Sequence, residues 1–148
     1  MRIDPREIAA GQPVAARVLA WHAEQKQTAL IYATSPPDEV ARLQQEFGAS
    51  SLGEQIEQCF AEIAKGLITQ QVRRFVVAGG ETSGAVVNSL GVQQLKIGDT
   101  IDPGVPWTSG QVAAPLLNQP APVLLALKSG NFGTEDFFAK SLAMTASD

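Results

Sequence analysis

Arg74-Phe75-Val76-Val77-Ala78-Gly79-Gly80-Glu81-Thr82-Ser83-Gly84-Ala85-Val86-Val87-Asn88-Ser89-Leu90 decides how this chain is read. A β-branched, aromatic run ends in two glycines and passes directly into a stretch with helical spacing, which predicts a strand, a tight turn and a helix start. The first turn of a helix carries backbone N–H groups without partners and a partial positive charge, and adjacent glycines let an anion reach that backbone. A phosphate is the expected visitor. An equally simple reading makes the segment only a tight strand-to-helix turn, in which Gly80 supplies a positive φ and Thr82 caps the helix.

Outward from this junction the chain alternates strand and helix signals. Asp4-Pro5 starts a short helix, and a second runs from Val14 to about Gln25 with Val14, Val18, Trp21 and Gln25 on one face. Thr28–Thr34 reads as a strand covered on both sides. Ser35-Pro36-Pro37-Asp38 opens a helix whose inner face would be Val40, Leu43 and Phe47, closed by Gly48. From Leu52 to Gln70 the apolar residues Ile56, Cys59, Phe60, Ile63, Leu67 and Ile68 recur at three- and four-residue spacing. Gly91 closes the helix that follows the glycine junction, Gln94–Gly98 reads as a short strand, and Ile101–Pro122 as a long loop rich in Pro and Gly. The strand Val123–Lys128 then enters a second glycine turn, Ser129-Gly130-Asn131-Phe132-Gly133, before a closing helix opened by Thr134-Glu135-Asp136.

This order predicts an α/β fold, a three-layer sandwich with a mainly parallel sheet flanked by helices. The chain is expected to form a single domain over 1–148, since 148 residues with 45% hydrophobic side chains suffice for one core. In a parallel sheet the carboxyl ends of the strands share an edge, so the turns at 79–84 and 129–133 should flank one crevice.

A net charge of −4 with scattered Lys and Arg argues against nucleic acid as a partner. No stretch reaches the roughly 18 apolar residues of a membrane helix, and the charged N-terminus lacks a secretory pattern, so a soluble, cytoplasmic chain is expected. One cysteine excludes an internal disulfide, and with a single histidine, His22, no Cys/His metal site can be assembled. Cys59 falls on the apolar face of its helix and reads as core. Ser83 or Ser129 as a hydrolase nucleophile is disfavoured, because no motif pairs either with His22.

Four stretches, Ala78–Val86, Leu90-Gly91-Val92, Ile101-Asp102-Pro103-Gly104-Val105-Pro106-Trp107 and Leu125–Gly133, resemble the C-terminal nucleotide-binding domain of the four-carbon acid sugar kinases. Ile3-Asp4-Pro5, Leu30–Thr34 and Asp136-Phe137-Phe138 resemble the same family in the same order. The resemblance implies a domain that holds ATP with Mg2+, while a separate N-terminal domain, not matched here, holds a 3-oxo-tetronate or erythronate. It implies ATP contacts at Gly79, Gly80, Glu81, Thr82 and Gly130. Beside these, the amides of Thr82, Ser83 and Gly84 are expected to face phosphate oxygens, and Asn131 to border the nucleotide with Gly130.

The chain begins after a turn in which the family carries a further ATP-contacting serine. The expectation is therefore a C-terminal piece of a longer two-domain kinase, inactive alone and open to homo-oligomerisation through the surface its missing half would cover. No catalytic residue is assigned, and no metal ligand. Glu81 is read either as orienting a magnesium-bound water or ribose hydroxyl, or as a first-turn acid favoured by the helix dipole. Lys128 reads as a phosphate-neutralising or merely solvated cation, Asp102 as a family-specific loop residue or a turn-forming acid, and Trp107 as loop packing or an adenine cover. A different class of reading keeps the same crevice but makes the chain a non-enzymatic anion- or metabolite-binding regulatory module.

Overall fold

Asp4 accepts the amide of Arg6 at 2.9 Å and Pro5 occupies the first helical position, so the chain enters α1 (Pro5–Ala9) as its sequence dictates. The computed structural model describes residues 1–144, which divide into two compact units, Met1–Leu67 and the remainder from Ile68.

The first unit continues with α2 (Val14–Ala23), α3 (Pro37–Phe47) and α4 (Ala49–Thr69). Val14 and Val18 of α2, Leu43 of α3, and Leu52, Cys59, Ile63 and Leu67 of α4 are buried. Gly66 lets α2 and α4 approach closely: a Cβ there would lie 2.2 Å from Leu19 Cδ1. The four expected helices form, and Gly48 (φ +80°) follows α3 as anticipated. Val40, expected on the inner face of α3, is exposed.

Thr28–Thr34 does not form a strand. It makes one isolated parallel bridge, Arg2 to Tyr32, with Ile3 N–H donating to the Tyr32 carbonyl at 2.8 Å. Leu30 and Tyr32 are exposed rather than covered. β-branched residues favour an extended backbone, but a strand also requires a partner along its length, and among the described residues this run pairs only with the first three of the chain.

The second unit holds the sheet. β1 (Arg74–Ala78) leads into α5 (Gly80–Ser89), followed by β2 (Lys96–Asp102), β3 (Val105–Val112), β4 (Ala121–Lys128) and α6 (Phe137–Met144). The strand order is β1-β4-β3-β2. β1 and β4 are parallel, with Phe75 opposite Leu125 and Ala78 opposite Lys128. β3 is antiparallel to both β4 and β2.

The sheet is therefore mixed, with one parallel pair, and not mainly parallel. The reason lies in 101–122, read as a loop from its Pro and Gly content. Pro103-Gly104 is a two-residue hairpin turn with Gly104 at φ +81°, and such a turn can only join antiparallel strands. Pro106 brings no N–H to its ladder, and pairing with β2 is irregular on both sides of Thr100, its partner.

Along β4, Leu124 and Ala126 contribute to one face while Val123 and Leu125, one residue out of phase, are buried on the other. Ile101, Val105, Trp107, Ala126 and Phe137 form a core cluster joined by Val76 and Leu124. Trp107 is 5% exposed and its indole N–H donates to the Ser141 carbonyl at 3.1 Å, so it packs the core and anchors α6 rather than covering a ligand. Among the described residues no helix is long and apolar enough to cross a membrane.

Candidate functional site

The two glycine turns meet at one edge because their strands are adjacent and parallel. The ladder runs one residue past β1, where Gly79 N–H donates to the Lys128 carbonyl at 2.8 Å, so the starts of both turns are tied by a backbone bond.

Gly79 adopts φ 123° and ψ 124°, a conformation that excludes L side chains, and its carbonyl accepts the Ser83 amide at 2.9 Å as the first bond of α5. Gly79, and not Gly80, thus supplies the positive φ. Gly80 is already helical, and a Cβ placed on it would touch nothing within 4 Å. Thr82 does not cap the helix: the N-cap is Gly79, and among the described residues no side chain caps α5. Since the Ser83 amide is bonded to Gly79, the open amides of the first turn are those of Gly80, Glu81 and Thr82, an offset from the expected Thr82–Gly84 set.

Gly80, Glu81 and Gly84 are exposed and Thr82 is half-buried. Ser83 is buried, and its Oγ finds no hydrogen-bond partner among the described residues.

Across from this helix start, Ser129, Gly130 and Asn131 are exposed at the end of β4. The turn is held from both ends. At its start Lys128 Nζ donates to the Ser129 and Gly130 carbonyls at 3.0 and 3.4 Å, and lies 5.9 Å from the centroid of the Phe137 ring. Lys128 is thus spent on the turn's own backbone in this state.

At its far end stands Asp102, from β2. This carboxylate is 5% exposed; Oδ2 accepts the Thr134 amide at 2.8 Å, and Oδ1 accepts Lys140 Nζ at 2.5 Å. Thr134 Oγ1 lies 2.9 Å from Asp102 Oδ2 and 2.6 Å from Asp136 Oδ1, its single proton serving one of them at a time. The Lys140 ammonium, followed by the Thr134 amide, draws the Asp102 carboxyl down to about 2. Asp102 is therefore neither a local turn acid nor open at a loop tip. Its bond to a residue 32 positions along the chain had no signal in the sequence, and the roles of Thr134 and Lys140 were missed with it.

A groove of about 620 Å3 lies elsewhere, in the first unit, between Gly11–Ala16 and the Ser51–Glu62 part of α4. Glu54 and Glu62 line it without a cationic side chain, which is the wrong electrostatics for a phosphate, and none of the turn residues borders it. Cys59 also lines it, with its thiol pushed up to about 11 by burial, an inert core cysteine. Among the described residues no three His, Cys, Asp or Glu side chains gather as a metal site.

Residues 1–138 match the family described as the nucleotide-binding C-terminal domain. A 3-oxo-tetronate kinase of Pseudomonas savastanoi pv. phaseolicola is 56% identical over 99% of this chain and 32% of its own length. One of Cupriavidus necator is 53% identical over 96% of this chain and 31% of its own length. The crystal structure of a Haemophilus influenzae protein superposes with a TM-score of 0.84 at 35% identity, over 97% of this chain and 34% of that one. The chain spans about a third of the length of the curated relatives it matches. The match covers the first unit and runs through the second as far as residue 138, and the chain belongs to the nucleotide-binding C-terminal domain family.

Proposed function

We propose that this chain is the ATP-binding domain of a kinase that phosphorylates a four-carbon sugar acid of the 3-oxo-tetronate or erythronate class, with residues 1–148 acting as one functional domain. The observation that carries the reading is the uncapped, glycine-opened start of α5 lying beside the 129–133 turn, tied to it by the Gly79–Lys128 bond. The relatives named 3-oxo-tetronate kinase support the chemistry, and the cytoplasm, which supplies ATP, is the proposed setting.

Phosphoryl transfer asks a protein mainly for positioning and for neutralising charge. The amides of Gly80, Glu81 and Thr82, with the positive end of α5 behind them, bind phosphate oxygens. Gly130 and Asn131 border the nucleotide from the neighbouring turn, with Ser83 and Gly84 completing the helix side. Mg2+ would come with the nucleotide and shield its charge, and Glu81, exposed in the first turn of α5, would orient one of its waters. The sugar acid and its hydroxyl are presented by the N-terminal two thirds of the parent protein, so this chain alone binds nucleotide and does not turn over.

Thermal unfolding tests the choice of ligand. Mg-ADP at about a hundred times its Kd stabilises the fold by about 2.7 kcal/mol, which raises the melting temperature by several degrees. A rise with a phosphosugar or a carboxylate and none with adenine nucleotides favours the regulatory module instead and contradicts the kinase reading.

A further inference from the structure

The hairpin turn between β2 and β3 grips the 129–133 turn at two points. Asp102, fixed by its pairing with Val105 where the two strands close the turn, holds the Thr134 amide and hydroxyl. Gly104, at the tip, lies against the ring of Phe132: a Cβ there would stand 3.1 Å from Cε1. Between these points Ser129–Gly133 is exposed, with the weak turn bond from Phe132 N–H to the Ser129 carbonyl at 3.3 Å and the Lys128 contacts as its own internal support.

Asp102 itself is turned inward. Its bonds all go to Thr134 and Lys140, and at 5% exposure it presents nothing to a ligand.

The geometry points to Asp102 as a positioning residue for nucleotide binding, acting with Lys140 to set the shape of the 129–133 turn without touching the ligand. The inference rests on the nucleotide reading above. Three properties support it. A carboxylate held by a backbone amide and an ammonium makes charge-assisted bonds, which are directional and about twice as strong as neutral ones. Its own backbone belongs to a strand pair and cannot follow the turn if the turn shifts. Its partner Thr134 is the residue immediately after Gly133, whose φ is +88° and where an added Cβ would stand 2.9 Å from Phe137 Cδ2, so that end of the turn has little slack.

The role makes a distinction that simple destabilisation does not. Inorganic pyrophosphate needs only the amides at the start of α5, whereas ADP also needs the neighbouring turn. Asp102→Asn keeps an acceptor for the Thr134 amide and loses the ion pair with Lys140. It is expected to weaken Mg-ADP binding about fivefold or more while leaving pyrophosphate within about twofold, both read by calorimetry on the intact chain. Should that variant fail to fold, Lys140→Gln, at a half-exposed position, carries the same comparison with a loss of about threefold for ADP.

Unchanged ADP affinity, or equal losses for both ligands, overturns the positioning role and leaves the nucleotide reading standing. A wild-type chain that binds neither ligand overturns both.

Discussion

Gly79 and Gly80 are neighbours with separate tasks. Gly79 is required by the backbone, at φ 123° with Thr82 Oγ1 already 3.2 Å from any added Cβ. Gly80 has ordinary helical geometry and open space around it, so its lack of a side chain matters only to something approaching from outside. Asp102 shows the same separation between structure and ligand, and its charge makes it visible to pH. Its folded carboxyl titrates at about 2 against an ordinary 3.8, so the unfolded chain binds the extra proton between those values. The stability this gives is complete above about pH 5, falls as pH drops through 4 towards 2, and is gone below both values. Lys140, Thr134 and Asp136 are the groups facing it, and Asp136 is also lowered, chiefly by Thr134. Urea unfolding of wild type and Asp102→Asn between pH 2 and 6 should therefore give a stability difference that shrinks on the acid side. A constant difference would show that the carboxylate charge is not what holds the site.

The β2–β3 hairpin links the turn, the core and the last helix of the second unit. It carries Gly104 at its tip and Asp102 in the strand pair that closes the turn, and delivers Trp107 to the core cluster, where the indole also bonds to α6. Trp107→Ala should cost about 3–5 kcal/mol by urea unfolding, from lost apolar burial, the cavity left behind and an orphaned Ser141 carbonyl. A cost under about 1 kcal/mol would mean that the hairpin is not part of the core. The same hairpin was hidden from the sequence. Pro103, Gly104 and Pro106 lie within four residues of one another and read as a loop, although two of them form the turn and the third is tolerated by an irregular ladder. The helices were legible because their apolar spacing is local: Cys59, Ile63 and Leu67 mark one buried face of α4. Thr28–Thr34 looked like a strand for equally local reasons, and failed because strand pairing depends on partners that local sequence does not contain. The glycine turns were legible as a pair, since a strand running into glycines and then a helix states its own geometry. Which glycine takes the positive φ and which amides remain open were not, because both depend on where the first helical bond closes.

At the scale of the whole molecule, the chain joins a helical unit to a mixed-sheet unit whose two glycine turns share an edge. In the curated relatives this length is about a third of the protein, and in the function proposed above the remainder presents the acid substrate. The account's central claim is that the open backbone at the start of α5 receives the phosphates of a nucleotide. Calorimetric titration of the chain with Mg-ADP, repeated on Gly80→Val, tests it most directly. The account predicts saturable binding by wild type and a loss of about tenfold or more in the variant, with a melting temperature within about 3 °C of wild type. Equal affinity in the two proteins would contradict it.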